Sequence, residues 1–176
     1  MTEKQVKNLV LILNKMKTLE RNIWIKKGIF QAESVADHSS SLAMLILLLT
    51  PPELDQLKCL KMALIHDLPE TYCGDFITDE MGAKEKFKLE HNAVAKIAKD
   101  LGAPELVAVF DEYETATSPE AKFVKALDKL DNLITANLYS DQVSPIFVRE
   151  CASDAYPAIM NTNSSASLLS ILQALF

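Results

Sequence analysis

Apolar residues recur at intervals of three and four along most of this chain, the spacing that places side chains on one face of an α-helix. A first amphipathic helix is predicted to end near Leu19 and to carry the stripe Val6, Leu9, Val10, Leu13 and Met16. The periodicity stops between Arg21 and Glu33, which predicts a loop that contains the only tryptophan, Trp24.

Ser34 is a favourable N-cap for a second helix that runs to about Thr50, where two prolines follow. The run from 42 to 49 is apolar on every side, which predicts that this half of the helix is buried in the middle of a bundle. A third helix is predicted from about Glu53 to Asp67, with one apolar face formed by Leu57, Leu60 and Leu64.

Two helices are predicted in the next part of the chain. Thr78 is a candidate cap for a charged fourth helix that reaches Leu101, where Gly102 is a stop signal. Pro104 fits the first turn of a fifth helix, whose apolar residues are Leu106, Val107 and Phe110.

The longest predicted helix opens at the cap Ser118 and runs to about Ser140. Its apolar stripe consists of Phe123, Leu127, Leu130, Ile134 and Leu138. Pro145 begins a seventh helix, and residues 164–176 form a short apolar C-terminal one. No strand alternation, repeat or linker interrupts the pattern, so we expect an all-α fold, a helical bundle with one domain over residues 1–176.

Composition narrows the function classes. Apolar residues make up 49% and the net charge is −6, with no block of lysine or arginine, which argues against binding of nucleic acid polymers. The three cysteines share no CxxC spacing, which disfavours a disulfide frame or a cysteine-built zinc site. The first residues lack the apolar region of a signal peptide, and the run 42–49 is short of the roughly 20 residues that cross a bilayer. We expect a cytoplasmic protein without a membrane partner.

The stretch from His66 to Asp75 concentrates the reactive side chains. His66 and Asp67 are adjacent, and Glu70 and Asp75 follow just after Pro69, a residue that cannot continue the preceding helix. This density of metal-binding and proton-transferring groups at a helix end predicts a catalytic site.

Four residues from three predicted helices can form one metal shell: His38, His66, Asp67 and Asp128. Two imidazoles and two carboxylates suit Mn, Fe, Co, Ni or Zn, whereas Mg prefers oxygen ligands. Simpler interpretations remain open for two members of this set. His38 can be a hydrogen-bonded core histidine, and Asp128 can be an exposed residue paired with a lysine such as Lys125.

The order His38, His66-Asp67, Asp128 resembles the HD-domain superfamily of metal-dependent phosphohydrolases, and the finer pattern is similar to its 5′-deoxynucleotidase branch. The resemblance covers about residues 9–140. The matching stretches are Arg21-Asn22-Ile23-Trp24, Glu33-Ser34-Val35-Ala36-Asp37-His38, His66-Asp67-Leu68-Pro69-Glu70, Gly74-Asp75, Glu112-Tyr113-Glu114 and Ala121-Lys122-Phe123-Val124-Lys125-Ala126-Leu127-Asp128.

The resemblance implies an all-α fold, a divalent metal on the four residues above, and hydrolysis of nucleoside 5′-monophosphates, commonly deoxy ones. It implies that Glu70 and Asp75 act on the attacking water and the substrate. Dinuclear members need extra histidines, and here only His91 is present, on a charged helix beside Glu90. We therefore expect a single divalent transition metal.

The substrate-binding residues implied by the resemblance lie in the loop after the first helix. Arg21 and Trp24 match positions that line the substrate pocket. Relatives often carry an arginine soon after the tryptophan, where this chain has Lys26 and Lys27. Lysine neutralises a phosphate but lacks the bidentate fork of arginine.

The mechanistic hypothesis is attack of a metal-bound water on phosphorus, with Glu70 transferring a proton and Arg21 holding the phosphate with Lys26 or Lys27. Trp24 packs against base or sugar in this hypothesis, or else fills the core. Asp75 orients the water or a sugar hydroxyl, or else caps a turn. Other open functions are hydrolysis of a cyclic nucleotide, a nucleoside triphosphate or a (p)ppGpp-like compound, and a non-catalytic binding module.

The C-terminal segment is strongly apolar for a surface element. Its residues Leu168, Leu169, Ile171, Leu172, Leu175 and Phe176 either pack on the bundle or become buried in a dimer interface. The family resemblance favours a homodimer.

Overall fold

The computed structural model describes residues 1–76 and 81–175. Within these ranges, the helices are α1 (Glu3–Thr18), α2 (Asn22–Ile25), α3 (Val35–Leu49), α4 (Gln56–Ile65), α5 (Glu70–Cys73), α6 (Ala83–Leu101), α7 (Glu105–Thr115), α8 (Pro119–Leu138), α9 (Pro145–Met160) and α10 (Ser165–Leu175). Extended pairing in the described residues is an isolated bridge between Glu20 and Ser34. The all-α prediction is confirmed.

Helix α8 is the central element of the bundle. It packs against α3, α4, α7 and α9 and contributes a long series of buried apolar residues to the main core. Asp128, Asp131 and Asn132 are also buried on this helix. Because a buried polar group is costly unless it is hydrogen-bonded or paired, these three side chains mark a polar site inside the bundle.

Side-chain caps fix the helix starts that the sequence predicts. The Ser34 hydroxyl accepts from the backbone N–H of Asp37 while the Asp37 carboxylate accepts from the backbone N–H of Ser34, a reciprocal capping box. Ser118 caps α8 by accepting from Ala121. Gly102 ends α6 in the left-handed region at φ +67°, as expected for a glycine stop signal. The candidate cap Thr78 lies outside the described residues.

One prediction about burial is wrong. The second half of α3 is not enclosed, because α3 packs on α1, α4 and α8 from one side and leaves Leu48 74% exposed. On α4, Leu60 packs against the main core, whereas Leu57 is 62% exposed and Leu64 is exposed as well. The buried residues of α4 are Cys59, Met62, Ala63 and Ile65.

Smaller differences concern the ends of elements. The segment predicted as a loop contains the short helix α2, which starts after Arg21. Leu138, the last member of the predicted α8 stripe, is exposed where that helix ends. In the C-terminal segment Leu168 is buried and Leu169, Ile171 and Leu172 pack against the main core. No helix in the described ranges has the length and hydrophobicity needed to cross a membrane.

Candidate active site

A cavity of about 350 Å³ opens beside the end of α4. Its lining comes from α2, α5, α6, α7, α8 and α9 and from the segments between them. The lining residues are Arg21, Ile23, His66, Asp67, Glu70, Asp75, Phe76, Ala83, Lys86, Phe87, Glu90, Tyr113, Glu114, Lys125, Asp128, Lys129, Asn132 and Asp154.

The local backbone explains why the acidic residues after α4 share this cavity. His66 is the C-cap of α4, and Pro69 is the N-cap of α5. Gly74 ends α5 at φ +91°, a backbone conformation that residues with a side chain rarely adopt. The chain turns there, and the next residue, Asp75, lines the cavity. Asp67, Glu70 and Asp75 therefore line one space.

The two predicted histidine ligands face each other. His38 Nε2 lies 3.3 Å from His66 Nε2. The opposite nitrogen of each ring is already engaged, since His38 Nδ1 contacts Asp131 Oδ2 at 2.8 Å and His66 Nδ1 contacts the Ala63 carbonyl at 2.9 Å. Both Nδ1 atoms therefore donate, and both Nε2 atoms are directed toward the same point.

Two carboxylates complete this cluster. Asp67 Oδ2 lies 3.1 Å from His66 Nε2, and donor atoms of His38, His66 and Asp67 all lie within 4.8 Å of one another. Asp128 Oδ1 lies 3.2 Å from His38 Nε2. The structure thus brings all four predicted ligands together, and Asp128 is buried rather than on an exposed flank. Of these four, His38, His66 and Asp67 form a group that could hold a metal ion, and Asp128 lies directly beside it.

The charge state of the cluster also suits a cation. Burial alone raises the pKa of Asp67, but the positive charges of His66, His38 and Arg21 outweigh it and lower that pKa below its usual range. Burial likewise acts against ionised Asp128, and Lys129 with His38 outweighs it, so the pKa of Asp128 is also lowered. Two carboxylates that stay ionised beside two imidazole nitrogens are a donor set that suits a divalent transition-metal ion.

Asp131 is a buried carboxylate that the sequence did not identify as functional. Its contact with His38 Nδ1 fixes the tautomer of a candidate ligand, the arrangement commonly found behind metal-binding histidines. Asp131 follows Asp128 by three residues on α8, so it lies on a neighbouring part of the same helix surface. That spacing is the sequence signal that could have identified it.

Glu70 is buried, and its Oε2 has no hydrogen-bond partner among the described residues. Burial, together with the negative charges of Asp67 and Asp75, raises the pKa of Glu70 well above its usual range. Its carboxyl group therefore keeps its proton to higher pH than an ordinary glutamate, whereas the pKa of Asp67 nearby is lowered. Two carboxyl groups whose pKa values are shifted in opposite directions are typical of acid–base sites.

Arg21 reaches the cavity from the start of α2. Its Nη1 donates to Glu33 Oε1 at 3.1 Å and to Asn132 Oδ1 at 2.6 Å. Asp75 secures the same segment, because its Oδ2 accepts from the backbone N–H of Asn22 at 2.7 Å. Asp75 therefore lines the cavity and also holds the first turn of α2 in position.

Trp24 is not among the described residues that line the cavity, so its predicted contact with the substrate is corrected. The side chain is fully buried in the main core, edge-on to Tyr139 and Phe147. Its Nε1 donates to Glu33 Oε1 at 2.7 Å, the same oxygen that binds Arg21. Trp24 thus holds Glu33, which in turn holds Arg21.

Lys26 and Lys27 are also absent from the described lining, so their role in phosphate binding stays a prediction. The helical turn of α2 places both on the exposed side, where Lys27 Nζ lies 3.9 Å from Glu150 and over the Phe147 ring. The cavity lysines are Lys86, Lys125 and Lys129. His91 lies elsewhere, paired with Asp111 at 2.8 Å on the surface.

The sequence has clear relatives. Residues 13–161 match the profile of the HD domain family. The chain belongs to the HD domain family. This HD domain is 38% identical over 143 residues to 5′-deoxynucleotidase HDDC2 of Dictyostelium discoideum, which covers 74% of this chain and 75% of the relative. It is 38% identical over 127 residues to 5′-deoxynucleotidase hdd1 of Schizosaccharomyces pombe, covering 68% of this chain but only 64% of that relative's length.

A solved structure shares this fold. The HD domain superposes on a crystal structure of a protein from Pyrococcus horikoshii with a TM-score of 0.81. The two are 31% identical, and the superposition covers 97% of each chain.

Proposed function

We propose that this HD domain is a metal-dependent 5′-nucleotidase that releases phosphate from nucleoside 5′-monophosphates, with deoxynucleotides as the main substrates. One observation carries the proposal: His66 and Asp67, which cluster with His38 as a possible metal site, line the same cavity as the buried Glu70, whose pKa is raised. A metal site and a candidate general acid in one cavity suit phosphomonoester hydrolysis. The relatives named 5′-deoxynucleotidases support the substrate class.

His38, His66, Asp67 and Asp128 would hold one divalent ion, of the transition-metal kind that mixed imidazole and carboxylate donors favour. When bound, such an ion acidifies a water and polarises a phosphate oxygen. The fit rests on the two converging Nε2 atoms and the two ionised carboxylates described above. Mn, Co, Fe, Ni and Zn are the candidates, ahead of Mg.

Glu70 would supply the proton that the leaving group needs. Hydrolysis forms a bond from the water oxygen to phosphorus and breaks the bond from phosphorus to the sugar O5′. The leaving O5′ takes the Glu70 proton and departs as an alcohol, and the attacking water returns one proton to the Glu70 carboxylate while its oxygen and second proton stay on the phosphate. Glu70 Oε2 is buried against the cavity without a hydrogen-bond partner among the described residues. Burial and the charges of Asp67 and Asp75 raise the pKa of its carboxyl group well above its usual range, so the proton is retained to higher pH than on an ordinary glutamate. Asp67, with its lowered pKa, stays ionised.

Positive side chains in the cavity would neutralise the phosphate. Arg21 is held by Glu33 and Asn132, so its position is fixed before substrate arrives, which limits the entropy lost on binding. Ile23, Phe76 and Phe87 supply an apolar part of the lining that suits a nucleobase or a sugar face.

The proposal is tested by a substrate panel on metal-free protein reloaded with Mn, Co, Ni, Zn or Mg. The panel contains ribo- and deoxyribonucleoside monophosphates, cyclic nucleotides and nucleoside triphosphates. Phosphate release from deoxynucleoside monophosphates that needs added metal is the expected result. Faster turnover of the cyclic nucleotides or nucleoside triphosphates would overturn the proposal. So would a protein that binds the metals but releases no phosphate with any of them. His66→Ala is the inactive reference, and Lys122→Met on the outer part of α8 is the active one.

We further propose that the chain acts as a single-domain homodimer in a reducing compartment such as the cytoplasm. Exposed Met44, Leu47 and Leu48 on α3 form an apolar face suited to self-association. The three cysteines, Cys59, Cys73 and Cys151, are free thiols, which suits a reducing environment. Light scattering of the purified chain distinguishes monomer from dimer, and Leu48→Glu is expected to shift a dimer to monomer.

A further inference from the structure

We propose that Lys129 is a further phosphate-binding cation of the cavity beside Arg21, and that a bound metal ion would make Lys129 available by competing for its partner Asp128. This inference rests on the proposed function, because it specifies how the same cavity recognises a phosphate. It also predicts that phosphate and metal bind cooperatively.

Asp128 is divided between two positive groups. Its Oδ1 lies 3.2 Å from His38 Nε2, on the side of the metal cluster. Its Oδ2 lies 3.3 Å from Lys129 Nζ and accepts a hydrogen bond from the Tyr113 hydroxyl at 3.3 Å. The Asp128 side chain is 8% exposed whereas that of Lys129 is 44% exposed, so the carboxylate is buried and the ammonium group can move into the open cavity.

The other cations of the described lining have partners that a metal ion does not take. Lys86 Nζ lies 2.7 Å from Glu90. Lys125 Nζ lies 3.2 Å from Glu114 and over the Tyr113 ring. Arg21 is held by Glu33. None of these carboxylates belongs to the proposed metal shell, so ion binding leaves their pairs intact.

Lys129 differs because its carboxylate partner is a candidate metal ligand. A divalent ion withdraws the negative charge of Asp128 from the lysine and adds like charge nearby, which weakens the ion pair. The ammonium group then has up to three donors to satisfy in a partly desolvated space. A phosphate dianion next to the ion would accept them, and charge-assisted contacts of this kind are stronger than neutral hydrogen bonds. Without the ion, Lys129 stays on Asp128.

Calorimetry on metal-free protein tests both halves of the proposal with Mn²⁺ and inorganic phosphate as probes. Lys129→Met is expected to tighten Mn²⁺ binding by up to about fivefold, since the competing ion pair is worth at most about 1 kcal/mol. The same variant is expected to weaken phosphate binding to the Mn-loaded protein about tenfold, the loss of one charge-assisted hydrogen bond. Lys129→Arg should retain phosphate binding because it keeps the charge.

Lys122→Met is the matched control. Lys122 lies on α8 two turns before Lys129, but it is not in the described lining of the cavity. Both affinities should equal those of the unsubstituted protein. Wild-type phosphate affinity should also fall sharply when Mn²⁺ is omitted.

Two results would overturn the inference: unchanged phosphate affinity in Lys129→Met, or weaker Mn²⁺ binding in that variant, which would mean that Lys129 merely supports Asp128. If Lys129→Met unfolds, Lys129→Gln is measured against the same criteria. These binding measurements need no turnover. A protein that shows the expected couplings but hydrolyses no nucleotide would refute the proposed function and leave this inference standing.

Discussion

His38 Nε2 and His66 Nε2 lie 3.3 Å apart in the interior of the bundle. The Nδ1 atom of each ring donates to an acceptor of its own, so in a neutral ring the Nε2 atom carries a lone pair and no proton. Two such lone pairs that face each other at this distance would repel. A positive charge has to lie between or beside them. In the metal-free protein that charge is a proton, and a divalent ion can take its place.

Metal affinity should therefore depend steeply on pH. Burial and the charge of Arg21 lower the pKa of His38, but hydrogen bonds to Asp128 and Asp131 outweigh them and raise it to about 9. Below that pH the ion has to displace a proton, so we expect its apparent affinity to rise about tenfold per pH unit between pH 6 and 8. Calorimetry in buffers of different ionisation enthalpy should register about one proton released per Mn²⁺ bound. A pH-independent affinity would contradict this account.

Asp131→Asn should weaken metal binding about 10- to 100-fold, because Asp131 holds His38 in the tautomer that exposes Nε2 to the ion. An asparagine can present its amide nitrogen to His38 Nδ1 and favour the wrong tautomer. Metal titration of the purified variant gives the measurement. Asp111→Asn is the control, since Asp111 makes the same 2.8 Å contact to His91 on the surface. Equal losses in both variants would show a nonspecific effect of the removed charge.

The fold and the metal cluster were largely predictable from the sequence because strong local signals fix them. Ser34 and Ser118 are caps with near neighbours as partners, and each fixes the start of the helix that carries His38 or Asp128. Once those two helices and the end of α4 meet in one bundle, the side chains converge. Helical period alone could not say which side of a helix that is apolar all round faces solvent, which is why Leu48 was wrongly predicted to be buried.

The substrate side of the site was harder to predict because it depends on tertiary contacts. The 21–33 segment has no periodicity, so nothing in the sequence shows that Trp24 turns inward to Glu33 while Lys27 turns outward to Glu150. Lys129 was overlooked for a related reason. Its neighbour Asp128 is buried, and only the packed structure shows that the lysine next to it lies at the cavity surface.

Replacement of the two loop lysines should leave phosphate recognition intact. Lys26 and Lys27 lie outside the described cavity lining, so Lys26→Met and Lys27→Met, singly or together, should change KM for a deoxynucleoside monophosphate by less than about twofold, within the small effect of surface charges. Steady-state kinetics at fixed ionic strength measures this. Lys129→Met in the same assay is the positive reference. A tenfold rise in KM for the loop variants would restore them as phosphate ligands.

Glu70→Gln should lower kcat by about 10²- to 10⁴-fold, the usual contribution of a general acid, because glutamine cannot deliver a proton to the leaving O5′. Metal content should be unchanged, since Glu70 is outside the His38, His66 and Asp67 cluster. Elemental analysis and single-turnover kinetics separate the two effects. A p-nitrophenyl ester, whose leaving group needs no proton, should be hydrolysed with a much smaller loss. An equal loss on both substrates would exclude the general-acid role.

Glu70 should also impose a pH dependence on the stability of the metal-free protein. Its folded-state pKa is raised by burial and by Asp67 and Asp75, whereas in the unfolded chain it is about 4.3. Below the unfolded value both states are protonated and the carboxyl group causes no loss. As the pH rises above the unfolded-state pKa, the unfolded chain loses the Glu70 proton while the folded chain keeps it. The contribution of Glu70 to the free energy of unfolding therefore falls by about 1.4 kcal/mol per pH unit until the folded-state pKa is reached. Glu70→Gln removes this dependence. Urea unfolding at pH 5, 6 and 7 should therefore show the variant gaining stability relative to the unsubstituted protein at each step. A constant difference in the free energy of unfolding would mean that the buried carboxyl group ionises as readily in the folded state as in the unfolded one.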